Sequence, residues 1–364
     1  MPATPQPAAE SGADSGAESA GEPVRGTERL HEPRREDCPW CGSAQLHTRL
    51  RTPDPVRCEP GTFVVDECRD CGHAFQNPRL TAEGLAFHHR DFHGGHPGLD
   101  GLADRLLTAR GSAGRHRAAA RAMLPFPEPE SWLDVGTGLG HFPEAAKEVH
   151  PYTSFDGLDA SGRVEQARAA GRVEEAHRGH LTDPRMLARL RSRYDVVSMF
   201  HHLEHTPDPR AELRAALTVL RPGGHLLLEV PDPQSAFGTL LGKWWVPYGR
   251  PRHLHLMPAA NLLTELEALG CAIVATDRRE PHTPYDIAGA LALALARVVP
   301  APDAPWRAEP PSRVESTLRT ALVGVTAPLM ATATVLDHAL APLLRRTRFS
   351  NAYRIIARSG ASAA

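Results

Sequence analysis

The stretch "WLDVGTGLGHF", Trp132 to Phe142, sets three glycines at alternate positions directly behind an aspartate. Apolar residues lead into it and a helix-compatible run, "PEAAKEV", follows. Glycine tolerates positive φ and lets a ligand approach the backbone closely. The helix opening near Phe142 turns its free N–H groups and positive dipole end into the same space. The chain is committed here to strand, bare turn and helix, with room above the turn for an anionic or nucleotide-like ligand. Taken alone, the glycine run also fits a tight strand–helix connection that binds nothing.

Beyond Ser131 short apolar runs alternate with helix-like runs, as expected of βαβ units in a parallel sheet. "SWLDVG", "TSFDGLD", "VEEAHRG", "YDVVSMF" and "GGHLLLEV" read as strands one to five, "CAIVATDRR" as a sixth and "NAYRIIARS" as a terminal seventh. The expected fold class is α/β, doubly wound. Its core covers 126–281, a helical insertion 282–348, and the last strand with its tail 349–364. Ahead of the core lie a tail at 1–34, a Cys-bearing segment at 35–80 and a His-rich helical linker or lid at 81–125. The tail is rich in Ala, Ser, Glu, Pro and Gly, too little apolar surface to offset ordering entropy, so disorder is expected there.

The acidic residues narrow the ligand. A dinucleotide fold uses G-x-G-x-x-G to seat a pyrophosphate. Here the spacing is D-x-G-x-G-x-G, from Asp134 through Gly136 and Gly138 to Gly140. A carboxylate so close to the turn would repel a pyrophosphate and suit a ligand carrying an ammonium or sulfonium. That argues against a nicotinamide oxidoreductase. Asp159 closes strand two 19 residues after Gly140, about where a ribose-hydroxyl acceptor is expected. The plainer reading of Asp159 is a loop residue or helix cap.

These paired features resemble the class I S-adenosylmethionine-dependent methyltransferases over about 130–280 plus the final strand. The resemblance implies a Rossmann-like seven-stranded sheet with its last strand antiparallel. It also implies that Asp134, Gly136, Thr137, Gly138 and Gly140 hold the methionine end of the cofactor. Asp159 would grip the ribose, with Ala160 and Ser161 beside the adenine. Relatives often place an aspartate after a glycine beyond strand three. "RGHL" offers His180 there instead, and Asp183 is the substitute.

"FHHLEHTPDP", Phe200 to Pro209, follows strand four, at the edge where such sheets bind ligands. It resembles the leucine–glutamate–histidine signature of the ubiquinone-biosynthesis methyltransferases and their small-molecule relatives. Phe200 and His201 are then cofactor contacts. His202 and His205 are candidate general bases, since an acceptor hydroxyl must shed its proton and imidazole titrates near neutrality. The bland alternative for both is a hydrogen-bonded residue at a strand end. A zinc-protease reading fails, because H-E-x-x-H is absent. "YGRPRHLHLMPAANLLTELEALGC" resembles the segment those enzymes place over the acceptor pocket.

"CPWCG" and "CRDCGH" place Cys38 and Cys41 against Cys68 and Cys71, with 26 residues between the pairs. Two such knuckles enclose a tetrahedral zinc, and an all-cysteine set leaves no open position, hence a structural Zn2+. Cys58 and Cys271 are left over, read as a ribbon residue and a buried strand residue. "CGHAFQNPRLTAEGLAFHHRDFH" resembles the knuckle, "NPR" and helix that precede many bacterial methyltransferases of glycan and secondary-metabolite pathways. Where those carry tyrosine pairs, this chain has His88, His89 and His93.

Forty-one Lys and Arg against 43 Asp and Glu give a formal net charge of -2, without the basic surplus of a phosphate-binding chain. A small-molecule acceptor is the expected partner, methylated on oxygen. A zinc-ribbon RNA methyltransferase, resembling certain ribosomal RNA guanine methyltransferases, and a non-catalytic binding module stay as alternatives. The N-terminus shows no signal-peptide core, and a cytoplasmic setting is expected. The apolar stretches "IAGALALALARVV" and "ALVGVTAPLMATATVL" fall short of the ~20 residues of a spanning helix, and the second contains Pro328 and runs into Asp337 and His338. They read as a packed helix pair. A lipid-linked acceptor at a membrane surface, covered by the 282–348 helices, is the further alternative.

Overall fold

The computed structural model describes residues 30–54, 62–89, 113–249, 251–299 and 310–360, with the side chains of 86–89 left aside. Most of the 1–34 tail, Cys58, the side chains of His88 and His89, and His93 lie outside the described residues. So do parts of the 81–125 and 282–348 segments.

Two sheets organise the chain. The first is antiparallel: β1 (Leu46–Thr52), β2 (Phe63–Cys68) and β3 (Ala74–Gln76) pair in order, and the fourth strand, β9 (His255–Leu256), comes from far along the sequence. Helix α1 (Ala82–His89) and the helical residues 113–121, α2, follow the third strand. The second sheet contains β4 (Ser131–Val135), β5 (Ser154–Asp159), β6 (Ala176–Arg178), β7 (Tyr194–Phe200), β8 (Leu220–Pro231), β10 (Ala272–Asp277) and β11 (Ala352–Arg358). Its order is β10-β11-β8-β7-β4-β5-β6. Strands β4 to β8 run parallel, and β11 runs antiparallel to both its neighbours. All seven expected strands form, and the last lies antiparallel as expected.

The chain steps outward from β4 to β5 and β6, then returns to β7 on the other side of β4. That reversal opens a crevice at the carboxyl ends of β4 and β7, the usual ligand position in such sheets. Strand β4 is buried over four of its five residues, with Trp132 and Leu133 fully enclosed, which fixes the turn that follows. Helices α3 (His141–Ala146), α4 (Arg163–Ala169), α5 (Pro184–Leu190) and α6 (Pro209–Val219) link the strands. Asp183 and Asp208 cap α5 and α6 through backbone N–H groups, each with proline at the first helical turn. A proline there gives up only a donor that the helix start leaves unpaired anyway.

The Cys-bearing sheet has no core of its own. Cys38, Trp40, Cys68 and Phe75 belong to the same buried cluster as Val197, Leu228 and Met257 of the large sheet and its approaches. Arg49 donates to the Tyr248 hydroxyl (2.7 Å) and the Pro233 carbonyl (2.9 Å), and Arg79 to the Pro207 carbonyl (2.5 Å). His73 Nε2 and His255 Nδ1 lie 3.1 Å apart across the β3–β9 seam.

Between β8 and β10 come α7 (Ala236–Leu241) and α8 (Ala259–Ala268). The insertion before β11 holds α9 (Asp286–Leu295) and α10 (Arg313–Leu344). They pack together, with the buried Asp337 carboxylate accepting from Ile287 N (3.0 Å) and Ala288 N (2.8 Å) at the start of α9. The first apolar stretch forms the 10-residue α9, too short to span as expected, but the same reading of the second needs correction. Helix α10 is one 32-residue element running through Pro328 and Pro342, opened by a Ser312/Glu315 capping box. By length and composition it is apolar enough to cross a membrane, and only 11% of its apolar window is buried. The sequence reading failed because Asp337 turns inward to cap α9, so it does not interrupt the outer face.

Candidate active site

The glycine turn takes the conformation that its composition demands. Gly136, Gly138 and Gly140 have φ of 78°, 54° and 73°, values costly for any residue with a Cβ. Gly136 N and Thr137 N donate to the Leu158 carbonyl at 2.8 and 3.2 Å, anchoring the turn to the end of β5. Thr137 is buried, and its methyl group occupies the space over Gly157, where a Cβ would come within 2.7 Å.

Asp159 joins the two ends of the crevice. Its Oδ2 accepts from Gly138 N (3.0 Å), while its Oδ1 accepts from the Ser161 backbone N–H (2.8 Å) and hydroxyl (2.6 Å). Ala160 sits between them, exposed. Asp134 stands in β4, 3% exposed, beneath the turn. Its Oδ1 accepts from the Ser198 hydroxyl (2.7 Å), which in turn accepts from Trp132 Nε1 (2.9 Å). Burial pushes the Asp134 carboxyl up from 3.8 to about 7, against the lowering pull of the Ser198 hydrogen bond. Near neutrality this group is poised to ionise when a positive charge arrives.

The segment after β7 makes the opposite wall. Phe200 packs its ring 4.4 Å from Phe142 of α3. His201 follows with φ of 50°, left-handed backbone that a histidine rarely adopts. The His202 ring lies directly against the turn, so that a Cβ on Gly136 would come within 2.8 Å of its Nδ1. Its Nε2 is 3.7 Å from Glu212 Oε2. Burial lowers the His202 pKa, but the Glu212 carboxylate outweighs it and raises the group overall. His205 points elsewhere: its Nδ1 is 3.2 Å from the Arg252 carbonyl, and its ring meets His253 edge-on at 4.6 Å.

Glu204, to which sequence reasoning assigned no role, is fully buried. Its Oε1 is 3.2 Å from His201 Nδ1. Burial raises its pKa, and the His201 hydrogen bond and charge lower it by more, leaving it below the usual carboxylate value. His201 shows the reciprocal result: burial lowers it, and Glu204 and Glu229 raise it overall. His180 lies exposed in the loop after β6. Asp183, its suggested substitute, spends its carboxylate on Arg185 N (2.8 Å).

The four cysteines meet. Cys38 Sγ is 3.6 Å from Cys71 Sγ, and Cys41 Sγ is 3.6 Å from Cys68 Sγ. Four sulfurs bound at 2.3 Å to a central zinc would stand about 3.8 Å apart, so the set fits a closed tetrahedral ion. Gly42 (φ 75°) and Gly72 (φ 68°) form the bends of the two knuckles. The aromatic residues Trp244, Trp245, Tyr248 and Tyr285 divide in two. Trp245 and Tyr248 are core residues, the first donating from Nε1 to Asp286 Oδ1 (2.9 Å). Trp244 is half-buried, flanked by Lys243 and Arg297 at 4.9 and 5.6 Å from its ring. Tyr285 is half-buried at the start of α9.

Residues 107–276 match a family profile described as a methyltransferase domain. Among curated proteins, the chain is similar to the ubiquinone biosynthesis O-methyltransferase of Aeromonas salmonicida (strain A449). The two are 30% identical over 149 residues, covering 39% of this chain and 62% of that protein. The enzyme of the same description from Marinobacter nauticus is 29% identical over 123 residues, covering 33% and 45%. The chain thus spans less than two thirds of the length of these relatives. Among solved structures, a SAM-dependent methyltransferase from Archaeoglobus fulgidus superposes with a TM-score of 0.43 at 20% identity, covering 71% of this chain and 98% of that one.

Proposed function

We propose that residues 107–276, which match a methyltransferase-domain profile, are of the class I, S-adenosylmethionine-dependent kind and that the protein moves the cofactor's methyl group to an oxygen of a small-molecule acceptor. The observation that carries the reading is the closed arc around the crevice. Three left-handed glycines lie between a near-neutral buried Asp134 and an Asp159 carboxylate already hydrogen-bonded to Gly138 N.

In this reading the turn backbone and Asp134 face the amino-acid end of the cofactor, and Asp159 with Ser161 faces the ribose. An incoming ammonium or sulfonium favours ionised Asp134, which supplies attraction the free protein lacks. Phe200 and Phe142 line the apolar side. Holding acceptor oxygen, methyl carbon and sulfur in line supplies large effective molarity. A drier site also favours a transition state that is losing its positive charge. His202 is held by Glu212 against the turn, which suits it to positioning the glycines. The four cysteines would hold a structural zinc, which would fix the wall carrying β9. Incubation with methyl-labelled cofactor and a panel of phenols, sugars, lipid-linked sugars and RNA tests the reaction. Label in a small organic product is expected. Label confined to RNA, or none while cofactor binds, contradicts the reading.

A lipid-linked acceptor is the second reading, and the outer face of α10 favours it. Leu318, Val325, Leu329, Leu336, Leu340 and Leu343 are all at least one third exposed and fall on one side of the helix.

A further inference from the structure

Helix α10 repeats leucine at every seventh position. Leu322, Leu329, Leu336 and Leu343 form one column, and Leu318, Val325, Thr332 and Ala339 stand four residues before each of them. This is the a and d spacing of a coiled coil, sustained over four repeats. Pro328 and Pro342 fall outside both columns. Leu322 is half-buried and the other seven residues are exposed. The helix meets the rest of the chain on a different side, where Ala333 and Asp337 are its buried residues and Asp337 caps α9. The middle of the seam lies more than a quarter-turn round the helix from them.

The spacing distinguishes one occupant from another. A bilayer surface asks for an apolar side without register. A strict repeat of seven lets a second helix seat its side chains between these along the whole length. The exposed part of the apolar side chains on this face is on the order of 800 Å² per copy, the share that each partner brings to a standard stable interface.

The two columns also fix the direction. The a column is leucine throughout, while the d column shrinks from Leu318 and Val325 to Thr332 and Ala339. A parallel pair would set Ala339 against Ala339 and Arg346 against Arg346, leaving a gap and a like-charge contact at one end. An antiparallel pair sets every a residue against a d residue of the other copy. Leu318 then faces Leu343, Leu322 faces Ala339, Val325 faces Leu336, and Leu329 faces Thr332. Three of these four contacts join a larger side chain to a smaller one, which spreads the volume evenly along the seam. One step further in the same register, Glu315 at the start of α10 faces Arg346, exposed just past its end. Opposite charges close both ends.

We propose that α10 pairs antiparallel with α10 of a second copy of this chain, making the protein a two-fold symmetric dimer joined through its helical insertion. An interface of this kind is self-complementary, each residue of the seam meeting its counterpart twice. The proposal does not depend on the methyl-transfer reading.

Sedimentation velocity of the full-length protein in detergent-free buffer, from nanomolar to tens of micromolar, tests the pairing. A species of twice the 39.5 kDa chain mass is expected. The Leu329→Glu, Leu336→Glu double variant puts charge into the seam and should weaken association about a hundredfold or more, with its far-ultraviolet circular dichroism unchanged. A wild-type chain that stays monomeric throughout, or a double variant that associates equally well, overturns the pairing. Flotation of such a monomer on vesicles would assign the face to lipid instead. Direction is read by mild oxidation: Leu318→Cys copies mixed with Leu343→Cys copies should cross-link, and neither variant should cross-link to itself. Cross-linking of Leu343→Cys copies alone, or of no combination, overturns the antiparallel register.

Discussion

At the scale of single residues, the two carboxylates that bracket the turn behave differently because their surroundings do. Asp159 sits partly in solvent and is satisfied by three N–H or O–H donors. Asp134 is enclosed, has the Ser198 hydroxyl as its donor, and is pushed up from 3.8 to about 7. A raised carboxyl pKa makes the folded state hold a proton that the unfolded chain releases. Stability should therefore fall as pH rises from about 4 to 7 and level off above it. The full span corresponds to at most about 4 kcal/mol. The Asp134→Asn substitution keeps an acceptor for the Ser198 hydroxyl and removes the charge. The variant should match the wild type near pH 4 and melt measurably higher at pH 8, in thermal scans without cofactor. A difference independent of pH would show that Asp134 is not held near neutrality.

At the scale of elements, the alternation of apolar and helix-like runs was enough to place every strand of the large sheet. Tyr194–Phe200 forms as written, and the others differ at their ends. Strand β8 begins at Leu220, three residues before the glycine pair marks it, because Leu220 pairs with Tyr194 ahead of a register shift. The resemblance of the glycine turn to the class I enzymes is what assigns the cofactor to the crevice beside it in the proposed function. What could not be read was contact between distant segments. Two residues, His255 and Leu256, complete the Cys-bearing sheet, and a strand that short carries no periodicity. Glu204 and His253 meet through one backbone hydrogen bond between neighbours 50 positions apart in sequence, Glu204 and Leu254. Arg354 lies buried between Glu229 and Glu280 because β11 pairs antiparallel with β8 and sets Arg354 opposite Glu229.

Helix α10 belongs to the same scale. At 1.5 Å per residue, it is about 48 Å long. Arg345, Arg346 and Arg348 stand exposed just beyond its end, next to the exposed Leu343. An apolar stripe with a cationic end suits an anionic bilayer surface. Vesicles containing phosphatidylglycerol should carry the protein upward in a flotation gradient. The Leu329→Glu, Leu336→Glu double variant should remain at the bottom with its thermal transition unchanged. Equal flotation of both proteins would remove the lipid reading.

At the scale of the whole molecule, the shared core decides how the parts depend on one another. Trp40 and Phe75 pack in one cluster with Val197 and Leu228, and Arg210 of α6 lies 4.5 Å over the Trp40 ring. A cysteine cluster that folded alone could lose its metal without consequence for the rest. Here chelation should lower a single cooperative transition in scanning calorimetry, because the ribbon's buried faces are also the large sheet's. Two separated transitions, with the upper one unmoved, would show that the sheets are energetically independent.

The central claim is that Asp134, the 136–140 turn and Asp159 hold S-adenosylmethionine. Isothermal titration with S-adenosylhomocysteine, the demethylated product, tests it most directly. One molecule per chain is predicted, with binding about ten- to a hundredfold weaker in Asp159→Ala, the loss of a charged hydrogen-bonding group. No heat with the wild-type protein, or equal affinity in the variant, would contradict it.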